Sequence, residues 1–287
     1  MRWTPGGTSG DIEDDRNSSG GGGGGGGFPG GIHLGIGGLL ILLVLSFIFK
    51  RDLISPFLNS GAADPSASVA RPPDPARDAA EQKEVQFVSF VLDDVQSTWP
   101  KLVPQYRHAK LVLFRDDLDS ACGLAQTATG PFYCPSDEKV YLDLGFFDEL
   151  KNRFGASGEF AQAYVIAHEL GHHVQKILGT ESKVRMAQQR NPQQANDLSV
   201  RLELQADCYA GVWGNSTEKR NILEEGDVES GLHAAAAVGD DHIQKMTTGE
   251  VMPEKFTHGT SAQRVQWFKQ GLTSGNINSC NTFTAAQ

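Results

Sequence analysis

The feature that most constrains the fold is the motif His168-Glu169-Leu170-Gly171-His172, which lies in an otherwise apolar run over residues 160–178. Such a run predicts a buried helix. On a helix, residues i and i+4 lie about one turn apart on the same face, so His168 and His172 should point at one place. Buried imidazole and carboxylate groups need partners, and one metal ion would serve all three polar side chains of the motif.

The chemistry of the motif predicts a zinc site. Neutral imidazole is a good zinc ligand, and Glu169 beside the first histidine could act as the general base of a metallopeptidase. Two alternatives stay open: a chance match to a short pattern, and a pair of core histidines satisfied without metal. A catalytic zinc usually takes three protein ligands and a water molecule, so a third ligand is needed.

A second helical stretch, over residues 195–213, can supply that ligand. It contains Glu203-Leu204-Gln205-Ala206-Asp207, and apolar side chains recur along the whole stretch at three- to four-residue spacing. Glu203 would complete a His-His-Glu set. Asp207, one turn further on, could accept the free ring N–H of a bound histidine. The alternative is a solvated acidic face.

Together these motifs resemble the gluzincin class of zinc peptidases, and more closely the YpfJ-type neutral zinc metallopeptidases of bacteria. The residues that carry the likeness are His168 to His173, Glu203 to Cys208, and Thr257-His258-Gly259-Thr260-Ser261. The resemblance implies a zincin-like α+β fold, mainly helical with a small sheet, and a peptidase activity. It also implies that His258, with Arg264 as a possible helper, stabilises the oxyanion, and that Asp207 supports His168.

The amino-terminal third divides into three parts by composition. Residues 1–31 are polar and glycine-rich, which predicts a disordered tail. Residues 32–49 are almost all apolar and carry no Asp, Glu, Lys or Arg, which predicts a single transmembrane helix. A core helix and a cleaved signal peptide are the alternatives. Residues 50–77 read as a linker, and residues 78–287 as the metallopeptidase domain.

The orientation signals in the sequence disagree with each other. Lys50 and Arg51 directly follow the apolar stretch, and the positive-inside rule would leave the following domain in the cytoplasm. The cysteines favour an oxidising compartment, because four of them without a Cys-x-x-Cys pair fit two disulfides. Four reduced thiols remain the alternative. We expect a single-pass protein of the bacterial inner membrane with a periplasmic domain. The cysteines are Cys122, Cys134, Cys208 and Cys280, and the first two form the most local of the possible pairs.

Net charge and hydrophobic periodicity give the remaining predictions, on nucleic-acid binding and on secondary structure. The chain has 25 basic and 35 acidic residues and no long basic run, which argues against nucleic acid as a partner. The oligomeric state is not predicted. Residues 240–242 are expected to form an exposed turn. The residues expected to be helical are 79–97, 146–154, 228–238 and 262–272. The expected strands are 109–114 and 139–144, and the second of these could pair with an extended substrate backbone.

These observations predict an endopeptidase that acts on peptides or proteins. A zinc ion held by His168, His172 and Glu203 would lower the pKa of its water to about 7, and Glu169 would take the proton. Two other functions stay open: a membrane-tethered zinc-binding interaction protein without peptidase activity, and a hydrolase of a non-peptide bond.

Overall fold

The computed structural model describes residues 1–17, 74–127 and 130–283. This part of the chain is mainly helical with a small sheet, as predicted. The helices are α1 (Pro75–Thr98), α2 (Gly145–Asn152), α3 (Glu159–Ile177), α4 (Thr180–Arg190), α5 (Ala195–Lys219), α6 (Asp227–Ala237), α7 (Asp240–Thr248) and α8 (Ser261–Ser274). The strands are β1 (Ile12–Asp14), β2 (Lys110–Phe114), β3 (Asp117–Ser120), β4 (Gly123–Gln126), β5 (Phe132–Cys134) and β6 (Lys139–Asp143).

The main sheet has the strand order β1-β2-β6-β5. β1, β2 and β6 run parallel, and β5 runs antiparallel to β6. Most residues of β2 and β6 are buried, as is typical of parallel strands that are covered on both faces. Because β6 is paired on both edges, the hypothesis that it binds an extended substrate is wrong. Among the described residues, the sheet edge beside the helices belongs to β5.

A tight helix crossing brings the two predicted metal-binding helices together. A Cβ atom on Gly171 of α3 would lie 3.0 Å from the backbone oxygen of Ala206 on α5. Only glycine fits such an approach without strain, because the neighbouring atom belongs to the backbone. Phe160 of α3 stacks on Trp213 of α5, with ring centroids 5.7 Å apart. The crossing places the histidine turn of α3 against the Glu203 turn of α5.

The amino-terminal segment does not match its prediction. The expectation of a disordered tail over residues 1–31 is wrong for residues 1–17, because β1 hydrogen-bonds to β2 and the side chain of Arg16 is only 4% exposed. Composition predicted disorder incorrectly, because it does not show that the charged residues of this segment form ion pairs with residues of the domain. Residues 18–31 and the predicted transmembrane helix, 32–49, lie outside the described residues. Among the described residues, no helix is long and apolar enough to cross a membrane.

The boundary between linker and domain also differs from the prediction. α1 begins at Pro75, where proline suits the first turn, and the Asp74 side chain accepts a hydrogen bond from the backbone N–H of Arg77. The linker predicted over residues 50–77 therefore ends earlier, and the domain includes residues 1–17 as well as those from 74 onward. The hairpin β3–β4 and the helix α4 were not predicted.

Two disulfides are present, as predicted. Cys122 in the turn of the β3–β4 hairpin is bonded to Cys134 at the end of β5, with a Cα–Cα distance of 5.7 Å. Cys208 on α5 is bonded to Cys280, with a Cα–Cα distance of 5.5 Å. The second bridge fixes the carboxyl-terminal end of the chain against the helix that carries Glu203.

Candidate metal centre

The three predicted ligands come together in the structure. His168, His172 and Glu203 each present one ligand atom, and these atoms all lie within 4.8 Å of one another. The Nε2 atom of His168 lies 3.1 Å from one Glu203 oxygen, and the Nε2 atom of His172 lies 3.4 Å from the other. The imidazole rings are nearly perpendicular, at 89°, with centroids 4.8 Å apart.

This donor set fits zinc. Zinc binds imidazole nitrogen and carboxylate oxygen at about 2.0–2.1 Å, and a tetrahedral arrangement then sets the ligand atoms about 3.3 Å apart. The distances of 3.1 Å and 3.4 Å from the two imidazole nitrogens to the carboxylate are close to that value, and each histidine contacts a different oxygen of Glu203. Three protein donors also leave a fourth position for water, as catalytic rather than structural zinc sites do.

Each ligand histidine is held from behind through its other ring nitrogen. The Nδ1 atom of His168 lies 2.8 Å from the Asp207 carboxylate, in the supporting position predicted for Asp207. The Nδ1 atom of His172 lies 2.9 Å from the side-chain oxygen of Gln175. Both partners are acceptors for a proton on Nδ1, so Nε2 is the ring nitrogen that would bind a metal.

Gln175 was not recognised from the sequence as part of the site. It is fully buried, and its amide group donates to the backbone oxygen of Leu202, at 2.7 Å, and to the side chain of Gln205, at 3.2 Å. Its position three residues after His172 is a signal that could have found it, because residues i and i+3 are neighbours on a helix.

Asp207 is the centre of a buried cluster of charged groups. Its carboxylate is fully buried and accepts hydrogen bonds from Nε of Arg264 at 2.8 Å, from Nη2 of Arg264 at 2.9 Å, and from the Tyr164 hydroxyl at 2.5 Å. Arg264 also donates to the backbone oxygen of Val238. The expectation that Arg264 helps to bind an oxyanion is therefore wrong, because its guanidinium group is 4% exposed and already occupied by Asp207.

The pKa shifts show a centre held by ionic contacts when no metal is bound. Burial alone would lower the pKa of His168, but Asp207 and Glu203 outweigh it and raise that pKa to about 10. Burial alone would raise the pKa of Glu203, but the two histidines hold it well below its usual range. A divalent cation would therefore replace protons in a site that already carries the complementary negative charge.

Glu169 follows His168 on the same helix and is only 8% exposed. Burial raises the pKa of this carboxyl, against the opposing effect of the two histidines. A raised pKa suits a general base, because proton transfer is most efficient when the pKa lies near the working pH.

His258 is fixed by a loop that Asp240 organises. The Asp240 carboxylate accepts hydrogen bonds from the backbone N–H groups of Thr257 (2.7 Å), His258 (2.6 Å) and Gly259 (3.0 Å). It also lies 3.1 Å from Nδ1 of His258. Partial burial would lower the pKa of His258, but Asp240 and Glu203 raise it. The interpretation of residues 240–242 as an exposed turn is wrong, because Asp240 is only 9% exposed and begins helix α7.

His173 is separate from the metal ligands. Its ring is fully buried, with Nδ1 2.9 Å from the Tyr133 hydroxyl and Nε2 2.8 Å from the backbone oxygen of Arg107. The contact with Tyr133 joins α3 to β5, so the sheet edge lies beside the helix that carries the histidine motif.

Comparison with known proteins also points to zinc. The family model described as "Putative neutral zinc metallopeptidase" matches residues 1–283. The "Uncharacterized protein YpfJ" of Escherichia coli strain K12 is 46% identical over 289 residues, which cover 99% of each chain. The "Uncharacterized protein Rv2575" of Mycobacterium tuberculosis strain H37Rv is 45% identical over 205 residues, which cover 68% of this chain and 69% of that protein. No solved structure matches. The near-complete family match and these identities show that the chain belongs to the family of that description.

Proposed function

We propose that this chain is a zinc-dependent endopeptidase whose centre is formed by His168, His172 and Glu203. The observation that carries the proposal is the convergence of these three donors, with Glu169 next to His168 in the same helix. The support that Asp207 and Gln175 give to the histidines adds to it, because buried partners of this kind fix the orientation of ligands. The family description points to the same chemistry.

Zinc, when bound, would acidify a water molecule and polarise the carbonyl group of the peptide bond. Glu169 takes the proton of the attacking water and delivers it to the leaving nitrogen. This role needs a carboxylate that is ionised before the reaction and basic enough to accept the proton. The burial that raises the pKa of Glu169 supplies that basicity.

His258 donates a hydrogen bond to the oxyanion that develops on the carbonyl oxygen. Its Nδ1 atom faces Asp240, so Nε2 is the atom left to reach the substrate. The raised pKa of His258 favours the protonated ring, which is the better donor to an anion.

The substrate backbone is placed by the edge of β5. This strand is the last in the sheet order, and its Tyr133 contacts His173 on the active-site helix. An extended peptide can add to such an edge through main-chain hydrogen bonds. The Cys122–Cys134 disulfide ties the end of β5 to the hairpin and would stiffen this edge.

The test compares Glu169→Gln with the parent protein on a mixed peptide library. Bound zinc should stay near one equivalent, because the ligands are untouched, while hydrolysis should fall by about 10²–10⁴. Glu159→Gln is the matched control, because Glu159 lies at the start of the same helix, away from the histidine turn, and should keep full activity. Equal activity in Glu169→Gln and the control would contradict the mechanism.

We also propose a periplasmic location for the domain, at the bacterial cell membrane. Two disulfides among the described residues support it, because such bridges persist in oxidising compartments. Free-thiol labelling of the denatured, unreduced protein from cells should then find almost no reactive cysteine. Labelling of all four cysteines would contradict this location.

A further inference from the structure

We propose that residues 1–17 are an integral part of the peptidase domain and occupy the same side of the membrane as residues 74–283. No bilayer can then lie between these two parts of the chain. The single-pass topology expected from the sequence, with residues 32–49 as the transmembrane helix, requires a bilayer between them. This inference is independent of the proposed peptidase activity, because it rests on contacts remote from the metal ligands.

The backbone of the segment completes the main sheet. β1 pairs in parallel with β2, with Ile12 opposite Leu111 and Asp14 opposite Leu113. The backbone N–H of Leu111 donates to the oxygen of Asp11 at 2.9 Å, and the N–H of Asp15 donates to the oxygen of Leu113 at 2.8 Å. β2 is one of the most buried strands of the sheet, and β1 covers what would otherwise be its unpaired edge.

Two buried arginines connect the segment to α1. Arg16 donates to Glu81 of α1 at 2.7 Å. Arg115, whose side chain is 2% exposed, donates to the same Glu81 and to Asp78 of α1, each at 2.7 Å. It also donates to the side-chain oxygen of Asn17 at 3.0 Å. Burying a charge is costly unless it is paired, and Arg16 reaches Glu81 only when the segment is docked.

Acidic residues of the segment meet basic residues of the sheet. Asp11 accepts from Nζ of Lys110 at 2.9 Å and from the side-chain amide of Gln96 at 3.0 Å. Glu13 accepts from Nζ of Lys139 at 2.6 Å. These contacts reach α1, β2 and β6, so the segment is bound by several elements rather than by one strand.

Both described ends that flank residues 18–73 lie at one place. The side-chain amide of Asn17 donates to the Asp78 carboxylate at 2.9 Å, so residue 17 lies beside the start of α1. A single crossing between these points would separate β1 from β2. Two crossings would need a second apolar stretch of about 20 residues. The sequence from Lys50 to position 73 has no such stretch and contains four prolines and two aspartates.

The experiment compares the sidedness of two exposed positions in the full chain. Thr8→Cys and Glu218→Cys are made separately, and cells with a permeabilised outer membrane are treated with a membrane-impermeant maleimide. Both cysteines should be labelled, or both protected, and both should react after detergent lysis. Labelling of one position with protection of the other would place them on opposite sides and overturn the proposal.

A cross-link tests the docking itself. Asp11→Cys and Lys110→Cys are combined in a chain with a protease site inserted among residues 60–70, and a short bis-maleimide is applied to the native protein. After cleavage and denaturation in detergent, the amino-terminal fragment should stay attached in the double variant and separate in each single variant. Complete separation in the double variant would overturn the docking, whatever the labelling result.

Discussion

Asp207 offers the most informative single perturbation, because it belongs to both the metal centre and the core. Asp207→Asn preserves the shape of the side chain but removes its charge. Arg264 then loses the counter-charge to its two short hydrogen bonds, and His168 loses the carboxylate behind its Nδ1 atom. Two separate losses should follow, one in stability and one in zinc affinity.

The two magnitudes can be worked out from the contacts. Removing one partner of a buried ion pair costs about 3–5 kcal/mol, because the other charge stays buried and unpaired. Arg264 is 4% exposed, so the full range applies to the metal-free protein. Losing the support behind a metal-binding histidine costs about 10- to 100-fold in metal affinity.

The assays measure these losses separately. Urea denaturation in the presence of a chelator gives the free energy of unfolding of the metal-free protein, and competition with a chromogenic chelator gives the zinc affinity. Asp197→Asn is the matched control on the same helix. Its exposed pair with Arg201, at 2.9 Å and four residues apart, should contribute only about 0.3–0.5 kcal/mol.

A double variant separates the two roles of Asp207. Asp207→Asn combined with Arg264→Met removes both buried charges, and replacing such a pair is often close to neutral. Stability should therefore largely return while zinc affinity stays low. If Asp207→Asn is as stable as Asp197→Asn, the buried ion pair does not have the role inferred for it. If its metal loss equals that of Glu203→Ala, Asp207 is a ligand.

Three further outcomes are expected. At pH 7.5, calorimetry in buffers of different ionisation enthalpy should find about one proton or more released per zinc bound, because the raised pKa keeps His168 protonated before binding. The same raised pKa stabilises the metal-free protein. This stabilisation is complete below about pH 6.5 and is lost as the pH rises through about 10. Asp240→Asn should keep its zinc, and its kcat should fall by less than the roughly 10²–10³-fold loss expected for His258→Ala. Because the Asp240 carboxylate raises the pKa of His258, the variant should also move the alkaline limb of the pH–rate profile to lower pH. An unchanged profile would contradict this prediction. Replacing both cysteines of the bridge that contains Cys208 should lower the free energy of unfolding by about 4 kcal/mol, and replacing those of the bridge that contains Cys122 by about 3 kcal/mol. The first loss is larger because the bridges span 72 and 12 residues, and a longer closed loop restricts the unfolded chain more. The reverse order would refute this explanation.

Local pattern was enough for the parts of the site that lie within one helix. His168, Glu169 and His172 are close in sequence, and helical geometry alone puts both histidines on one face. The same rule made Glu203 and Asp207 neighbours on α5. The convergence of these two helices was expected only because a zinc centre needs a third donor, and the structure brings the ligand atoms within 4.8 Å.

Local pattern failed where a side chain takes its role from a partner distant in the chain. Asp240 looked like part of an exposed acidic turn, yet it holds the loop that ends 19 residues later at Gly259. Arg264 was expected near the oxyanion, but the packing of α8 on α5 brings it to the buried carboxylate of Asp207. Hydrophobic periodicity carries no information about such polar contacts, because it reports only which face of a helix is buried.

The amino-terminal segment shows the same division at the level of the fold. Its sequence is polar and rich in glycine, and by composition it cannot form a core of its own. Only the assembled domain supplies an open strand edge on β2 and the charged groups that pair with Asp11 and Arg16. The sequence alone therefore determined the donors of the metal centre and their spacing. The tertiary structure decided which distant residues orient those donors, because buried charges are stable only where the fold provides their partners.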